Sequence, residues 1–212
     1  MKSKVDLWNA VTKERQAEKK APQEEVAALH DLFRNEKVKK ILDLGCGSGR
    51  HLVFFAKQGY DVCGIDVSPE AISLSRKWLA EEGLAAELHC KDIERLPWPD
   101  NYFDAVISVQ VIEHNRLEPV RKIIREVNRV VHPAGYFFVV VKKFPPAKDW
   151  KKGKFVRLDH HLYAPTEGTE KGIVHYFFAE DELKDVFSGF DIVDVKADKK
   201  SEHYCVLSQK PD

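Results

Sequence analysis

The sequence predicts an α/β fold, with helices packed on both faces of a mostly parallel sheet. Short apolar runs alternate with helix-spaced runs from residue 39 to residue 141, the pattern of strand–helix–strand units. A glycine-rich turn, Gly45-Cys46-Gly47-Ser48-Gly49, joins the first apolar run to a helical one. Asp66 and Asp92 stand where the second and third apolar runs end, and in open α/β sheets that edge is where ligands bind.

Residues 1–37 read as a polar helical extension. Leu7, Trp8 and Val11 fall at helical spacing, residues 13–20 are charge-rich, and Pro22 opens a second helix with Val26, Leu29, Leu32 and Phe33 on one face. Two readings stand for it. The simpler, preferred on these grounds, is a helical segment packed on the sheet edge; the other is a cap over a ligand mouth, closed by Trp8.

Lys39–Leu44 is the first strand, with Ile41, Leu42 and Leu44 apolar enough for a sheet interior. After the glycine turn, residues 51–57 read as a helix and residues 61–65 as the second strand. Ser68 as N-cap and Pro69 in the first turn open a helix carrying Ala71, Ile72, Leu74, Trp78 and Leu79 to Gly83. Ala85–Cys90 is the third strand and Phe103–Gln110 the fourth. Residues 116–131 form an amphipathic helix facing inward through Val120, Ile123, Ile124, Val127 and Val130. Pro133-Ala134-Gly135 is then a turn and Tyr136–Val141 the fifth strand.

Residues 143–178 interrupt the alternation. A long connection at the C-terminal end of a central strand is a usual home of substrate contacts. A helix over Ala179–Phe187 and strands over Phe190–Lys196 and His203–Gln209 complete the chain. The reading is one domain, 1–212: an N-terminal cap (1–37), a core (38–142), an insert (143–178), and a C-terminal helix and strand hairpin (179–212).

A length of 212 residues suits one such domain with a sizeable core. Lys and Arg total 34 and so do Asp and Glu, which argues against nucleic-acid binding through overall charge, though not against a local patch. Cys46, Cys63, Cys90 and Cys205 show neither metal spacing nor Cys-x-x-Cys and are expected to be buried thiols in a reducing compartment. No apolar signal region opens the sequence and no run is long enough to span a bilayer, so a soluble, cytoplasmic protein is expected.

Glycine spacing narrows the ligand. The dinucleotide pattern Gly-x-Gly-x-x-Gly would need its third glycine at Arg50, and no Gly-Lys-Ser/Thr is present. The pattern is instead Asp43-x-Gly45-x-Gly47-x-Gly49. Its glycines permit a tight turn and close approach to the main chain, helix-start N–H groups favour an electron-rich ligand group, and a carboxylate after the next strand can hold a ribose diol. Together with Asp66, this stretch resembles motif I and the following acidic position of the class I S-adenosylmethionine-dependent methyltransferases. Asp92-Ile93, the run from Leu96 to Asp104, and Arg129-Val130-Val131-His132-Pro133-Ala134-Gly135-Tyr136 are similar to the same family. The resemblance covers residues 38–142.

That resemblance implies a Rossmann-like seven-stranded sheet of order 3-2-1-4-5-7-6 with the last strand antiparallel. S-adenosylmethionine is then the methyl donor and S-adenosylhomocysteine the product. Asp43, Gly45, Cys46, Gly47 and Gly49 would carry the methionine end, Asp66 with Val67 the ribose, Asp92 with Ile93 the adenine, and Val109 would border the site. The expected partner is a small-molecule methyl acceptor. A second reading docks RNA or a protein on the basic stretch Lys142–Arg157, and a third is a non-catalytic module that binds S-adenosylmethionine.

Methyl transfer by direct displacement needs a base only if the attacking atom must lose a proton, and it needs no metal. His114, just past the fourth strand, is the candidate base, with an unperturbed pKa of about 6.5; Glu113 is the second candidate. The alternative for both is to cap or position the following helix. Trp8, His175 and Tyr176 are candidates to line the acceptor pocket, His175 having the alternative of a half-buried histidine bonded to a carbonyl. His160, His161, His175 and His203 make no recognisable metal motif.

Overall fold

The computed structural model describes residues 3–14, 21–145, 155–198 and 202–212. Its helices are α1 (Lys4–Glu14), α2 (Glu24–Ala27), α3 (Leu29–Asn35), α4 (Arg50–Lys57), α5 (Pro69–Glu81), α6 (Leu117–Val130) and α7 (Leu183–Val186). Its strands are β1 (Lys40–Leu44), β2 (Asp61–Asp66), β3 (Glu87–Cys90), β4 (Phe103–Val109), β5 (Val131–Lys142), β6 (Phe155–Arg157), β7 (Leu162–Pro165), β8 (His175–Tyr176), β9 (Asp191–Ala197) and β10 (His203–Gln209).

Seven strands form one sheet in the order β3-β2-β1-β4-β5-β10-β9. Counted within the sheet this is the expected 3-2-1-4-5-7-6. The strands β1 to β5 pair in parallel, and β10 runs antiparallel to both neighbours. Alternation along the strands explains the two-sided packing. Ile41, Val62, Ile107 and Phe138 face one layer with Phe33 of α3 and Phe55 of α4. Their neighbours Leu42, Cys63, Val106 and Phe137 face the other, with Val120, Ile124 and Val127 of α6. Each such side chain, fully buried, stabilises the fold by roughly 1.5–3 kcal/mol.

Ser68 caps α5 as expected, its Oγ accepting the Ala71 N–H at 3.1 Å, with Pro69 at the first helical position. Arg129 explains another quoted motif. It ion-pairs with Glu126 at 2.8 Å and donates to the carbonyls of Leu96 and Trp98. The loop that leads from Asp92 to β4 is thereby fastened to α6.

Several boundaries differ from expectation. The turn at residues 133–135 lies within β5, which begins at Val131 rather than Tyr136. Val131 pairs with Phe103 and Tyr136 with Ala105, so the extra residues bulge out of the ladder, Ala134 taking a φ of 57°. The third strand starts at Glu87, the second N-terminal helix divides into α2 and α3, and the helix expected over 179–187 keeps only Leu183–Val186. Cys90 is exposed, unlike the other cysteines, because β3 is an edge strand.

The insert builds a small antiparallel sheet, β6-β7-β8, which sequence reading did not foresee. It rejoins the main sheet where Phe144 and Phe178 bond: the Phe144 N–H donates to the Phe178 carbonyl at 2.8 Å, and the Phe178 N–H to that of Lys142 at 2.8 Å. Lys148, Trp150, Lys151, Lys152 and Lys154 of the basic stretch lie outside the described residues. Among the described residues no helix is long and apolar enough to cross a membrane.

Candidate active site

A cavity of about 630 Å³ opens at the C-terminal edge of the parallel strands. One end is the glycine turn. The N–H groups of Gly45 and Cys46 donate to the Ile65 carbonyl at 2.8 and 3.1 Å, and that of Gly47 to Asp66 Oδ2 at 3.0 Å. These three N–H groups are thus used inside the loop, which they hold against the end of β2. Gly47 has a φ of 55° and a Cβ placed there would meet nothing within 4 Å: it faces the open cavity. Gly45 is a packing glycine, since a Cβ would come within 2.4 Å of Val111. At Gly49 the obstacle is Ser75 of α5, and Gly49 does not line the cavity.

Gly45, Cys46, Gly47, Asp66, Val67, Asp92, Ile93 and Val109 line this end. Asp66 is held by the N–H groups of Gly47 and Ser68, the latter at 2.9 Å on its other oxygen. Burial raises its pKa while those N–H groups oppose the rise. Asp43 does not line the cavity. It lies buried at 2% exposure beneath the turn, and its Oδ2 has no hydrogen-bonding partner among the described residues. Burial pushes Asp43 up to about 7, against the pull of Arg50. His51 of α4, not singled out from sequence, is 4.0 Å from Asp43 Oδ2, and burial lowers it to about 3.

The helix α1 crosses the mouth. Lys4 Nζ reaches Asp92 Oδ2 at 2.9 Å, and Asn9 Oδ1 accepts from the Ser68 hydroxyl at 2.6 Å. Trp8 meets the His114 ring edge-on, with centroids 4.8 Å apart. The Thr169 hydroxyl of the insert donates to Glu14 at 2.9 Å. The N-terminal extension is therefore not simply edge packing: α1 covers the cavity, while Val26 and Phe33 pack on a sheet face. From sequence alone this cap was the less preferred of two readings.

The other end is polar. Gln110, Glu113, His114, Asn115, Lys142, Glu170, Glu202 and His203 line it. Glu113 is fully buried, neither carboxylate oxygen having a hydrogen-bonding partner among the described residues. Burial drives its pKa up to about 8, Lys142 opposing and Glu170 reinforcing. At neutral pH it is mostly a carboxylic acid and a poor base. His175 stands behind the wall, fully buried, its ring 4.6 Å from that of His114 and its Nε2 3.2 Å from Glu170. Tyr176 points elsewhere, its hydroxyl donating to Glu182 at 3.0 Å beside His161. The expectation that Tyr176 lines the acceptor pocket is thus corrected: adjacent residues of β8 face opposite sides.

Lys4, Gln110, Lys142, Glu170, Glu202 and His203 were missed as site residues. Gln110 and Lys142 carried a usable signal, since Gln110 directly follows β4 and Lys142 ends β5 at the ligand edge. Among the described residues no cluster of histidine, cysteine and acidic side chains has metal-binding geometry.

A family profile described as "Methyltransferase domain" matches residues 42–139. The uncharacterized methyltransferase YodH of Bacillus subtilis (strain 168) is 31% identical over 112 residues, 51% of this chain and 47% of that protein. Ajmaline N-methyltransferase of Rauvolfia serpentina is 38% identical over 99 residues, 45% of this chain and 33% of that protein. The alignments thus span less than half the length of these relatives. A solved S-adenosylmethionine-dependent methyltransferase from Methanosarcina mazei superposes with a TM-score of 0.73 at 25% identity, covering 85% of this chain and 97% of that one. Residues 42–139 thus constitute a methyltransferase domain of the class I, S-adenosylmethionine-dependent type.

Proposed function

We propose that the protein transfers a methyl group from S-adenosylmethionine to a nucleophilic nitrogen, oxygen or sulfur atom of a small molecule. The observation that carries this reading is one covered cavity with two chemically distinct ends, a strand-tip cradle and a polar chamber, closed over by α1. The cradle fits the methyl donor. Gly47 leaves room beside the turn for the methionine portion, while Asp43 lies buried beneath that turn and does not face the cavity. Asp66 retains acceptor capacity for ribose hydroxyls, Asp92 for the adenine amino group, and Val67 and Ile93 supply apolar walls for the base.

When bound, the donor supplies a methyl group activated by a sulfonium, open to direct displacement. The chain's own task is to hold the acceptor in line, which alone is worth roughly 7–11 kcal/mol of the barrier. Trp8 and α1 exclude bulk water from the chamber. The relative named for ajmaline N-methylation supports a small-molecule acceptor.

Labelled S-adenosylmethionine offered with a panel of phenols, thiols, amines and RNA tests the reading. Transfer to a small acceptor, with S-adenosylhomocysteine bound between Gly47 and Asp92 in a co-crystal, is the expected result. Transfer only to RNA, with affinity falling steeply as salt rises, would replace it by the docking reading. A nucleoside bound but never turned over would leave the binding module.

A further inference from the structure

The polar chamber holds a histidine presented in a way that simple packing does not require. His203 opens β10 opposite Lys142, the last residue of β5. It is 6% exposed and borders the cavity. Its Nδ1 lies 2.9 Å from Asp198 Oδ2. The other Asp198 oxygen accepts the N–H groups of Glu202 at 2.8 Å and of His203 at 3.2 Å, so the carboxylate is fixed in place.

A carboxylate only accepts, which puts the ring proton on Nδ1 and leaves Nε2 with the lone pair. That nitrogen is 2.9 Å from Gln110 Nε2, an amide that donates to it. Gln110 itself has a φ of 57°, a left-handed conformation unusual for a residue with a side chain. Such backbone persists where its surroundings hold it, and it concentrates at functional sites. Closing the β9–β10 turn accounts for the backbone bonds to Asp198. It does not account for a cavity-wall ring whose Nε2 accepts from a glutamine in left-handed backbone.

Resting on the methyltransferase reading above, we propose that His203 is the general base of the reaction, that Asp198 positions it and Gln110 covers it, and that the acceptor is a neutral O–H or N–H nucleophile. The acceptor's X–H first takes the place of the Gln110 amide at Nε2; the X–H bond then breaks, its proton going to Nε2 and its electron pair remaining on X. That pair bonds to the methyl carbon as the carbon–sulfur pair leaves with sulfur. The imidazolium is stabilised by Asp198 and later gives its proton to water. Among the groups facing His203, burial and the Lys142 ammonium lower its pKa, while Asp198 and Glu202 raise it, the net effect being a decrease. The base is therefore neutral at neutral pH, and Lys142 stands where a developing oxyanion would be favoured.

Nitrogen-15 spectra of histidine-labelled protein saturated with S-adenosylhomocysteine, assigned with His203→Gln, test the geometry without turnover. The expected result is a neutral Nδ1–H tautomer from pH 6 to 8, replaced by a tautomer mixture in Asp198→Asn. A His203 with its proton on Nε2 overturns the proposal. In turnover, His203→Ala and His203→Gln should lower kcat for a phenol by about 100-fold or more, leave the Kd for S-adenosylhomocysteine unchanged, and respond to added imidazole. The same variants should barely affect 4-nitrothiophenol, which is already ionised near neutral pH. Equal losses for both acceptors, or no loss for phenols, overturn the proposal. If S-adenosylhomocysteine does not bind the cavity, the methyltransferase reading itself fails. If it binds and nothing on the panel is methylated, the small-molecule reading fails and the tautomer alone decides the dyad.

Discussion

The two ends of the cavity are built by different means. The donor end comes from one continuous stretch, β1 through β3, whose turn and strand tips place Gly47, Asp66 and Asp92 side by side. The acceptor end draws Trp8 from α1, Gln110 from beyond β4, Lys142 from β5, Glu170 from the insert and His203 from β10. One end rests on backbone geometry that any member of the fold needs. The other rests on side chains contributed by segments that can vary independently, and substrate choice is expected to reside there.

The largest expected effect on ligand affinity falls on the donor end. Replacing Asp66 with Ala removes the acceptor for ribose hydroxyls and also releases the N–H groups of Gly47 and Ser68. Hydrogen bonds to a charged group contribute about 1.5–3 kcal/mol, so affinity for S-adenosylhomocysteine should fall about 10- to 150-fold by calorimetry. Unchanged affinity would contradict the placement of the ribose.

The second prediction concerns the acceptor end and stability. The Glu113 carboxyl is raised from the ordinary glutamate range to about 8 by burial. The folded state therefore holds this proton over a pH range in which the unfolded chain has lost it. Its contribution to stability is complete below the unfolded pKa and is lost as pH rises toward about 8. Glu113→Gln removes that dependence. Its Tm should match the wild type near pH 4 and exceed it at pH 8.5 by about 2–4 °C for each kcal/mol regained. Parallel unfolding curves at both pH values would mean that Glu113 is not buried as an acid.

The same contrast explains what was legible in the sequence. The lining at the glycine turn was readable because Gly45, Gly47, Asp66 and Asp92 are each tied to a local signal, a turn or the end of an apolar run; Asp43 and Gly49 carry the same signal but do not line the cavity. Strand order followed from the resemblance, and the core from period-two alternation. The acceptor end was not readable, because contacts such as Lys4 with Asp92 or Gln110 with His203 join residues 88 and 93 positions apart. Sequence periodicity carries no information at that separation. His203 was noticed only as a possible metal ligand. Its partner Asp198 has no motif, and only the hairpin brings the two together. Tyr176 was misplaced for a simpler reason: a two-residue strand gives too short a pattern to tell one face from the other.

Trp8 links the cap to the chamber and should matter moderately. Its edge-on contact with His114 at 4.8 Å is of a kind worth about 0.5–1.5 kcal/mol. Trp8→Ala should raise the KM for the acceptor about 2- to 10-fold, and Trp8→Phe should restore most of it. A shift confined to the methyl donor would place Trp8 at the wrong end.

The smallest effect is expected at Lys4, where the sign is the informative part. Its ammonium occupies Asp92 Oδ2 at 2.9 Å, the other Asp92 oxygen accepting the Glu94 N–H at 3.0 Å. Burial raises the Asp92 pKa, but Lys4 and the local N–H groups outweigh it and the net shift is downward. An adenine amino group must therefore share or displace this contact. Both side chains are partly exposed, at 39% and 42%, so the pair is worth at most about 1 kcal/mol and is screened by salt. Lys4→Met keeps the stem that packs over the mouth and removes only the charge. If Lys4 competes for Asp92, the variant should bind S-adenosylhomocysteine more tightly by up to about fivefold at low salt, and the advantage should vanish at high salt. Weaker binding at both salt concentrations would show instead that the ammonium helps to hold the cap closed over the bound nucleoside.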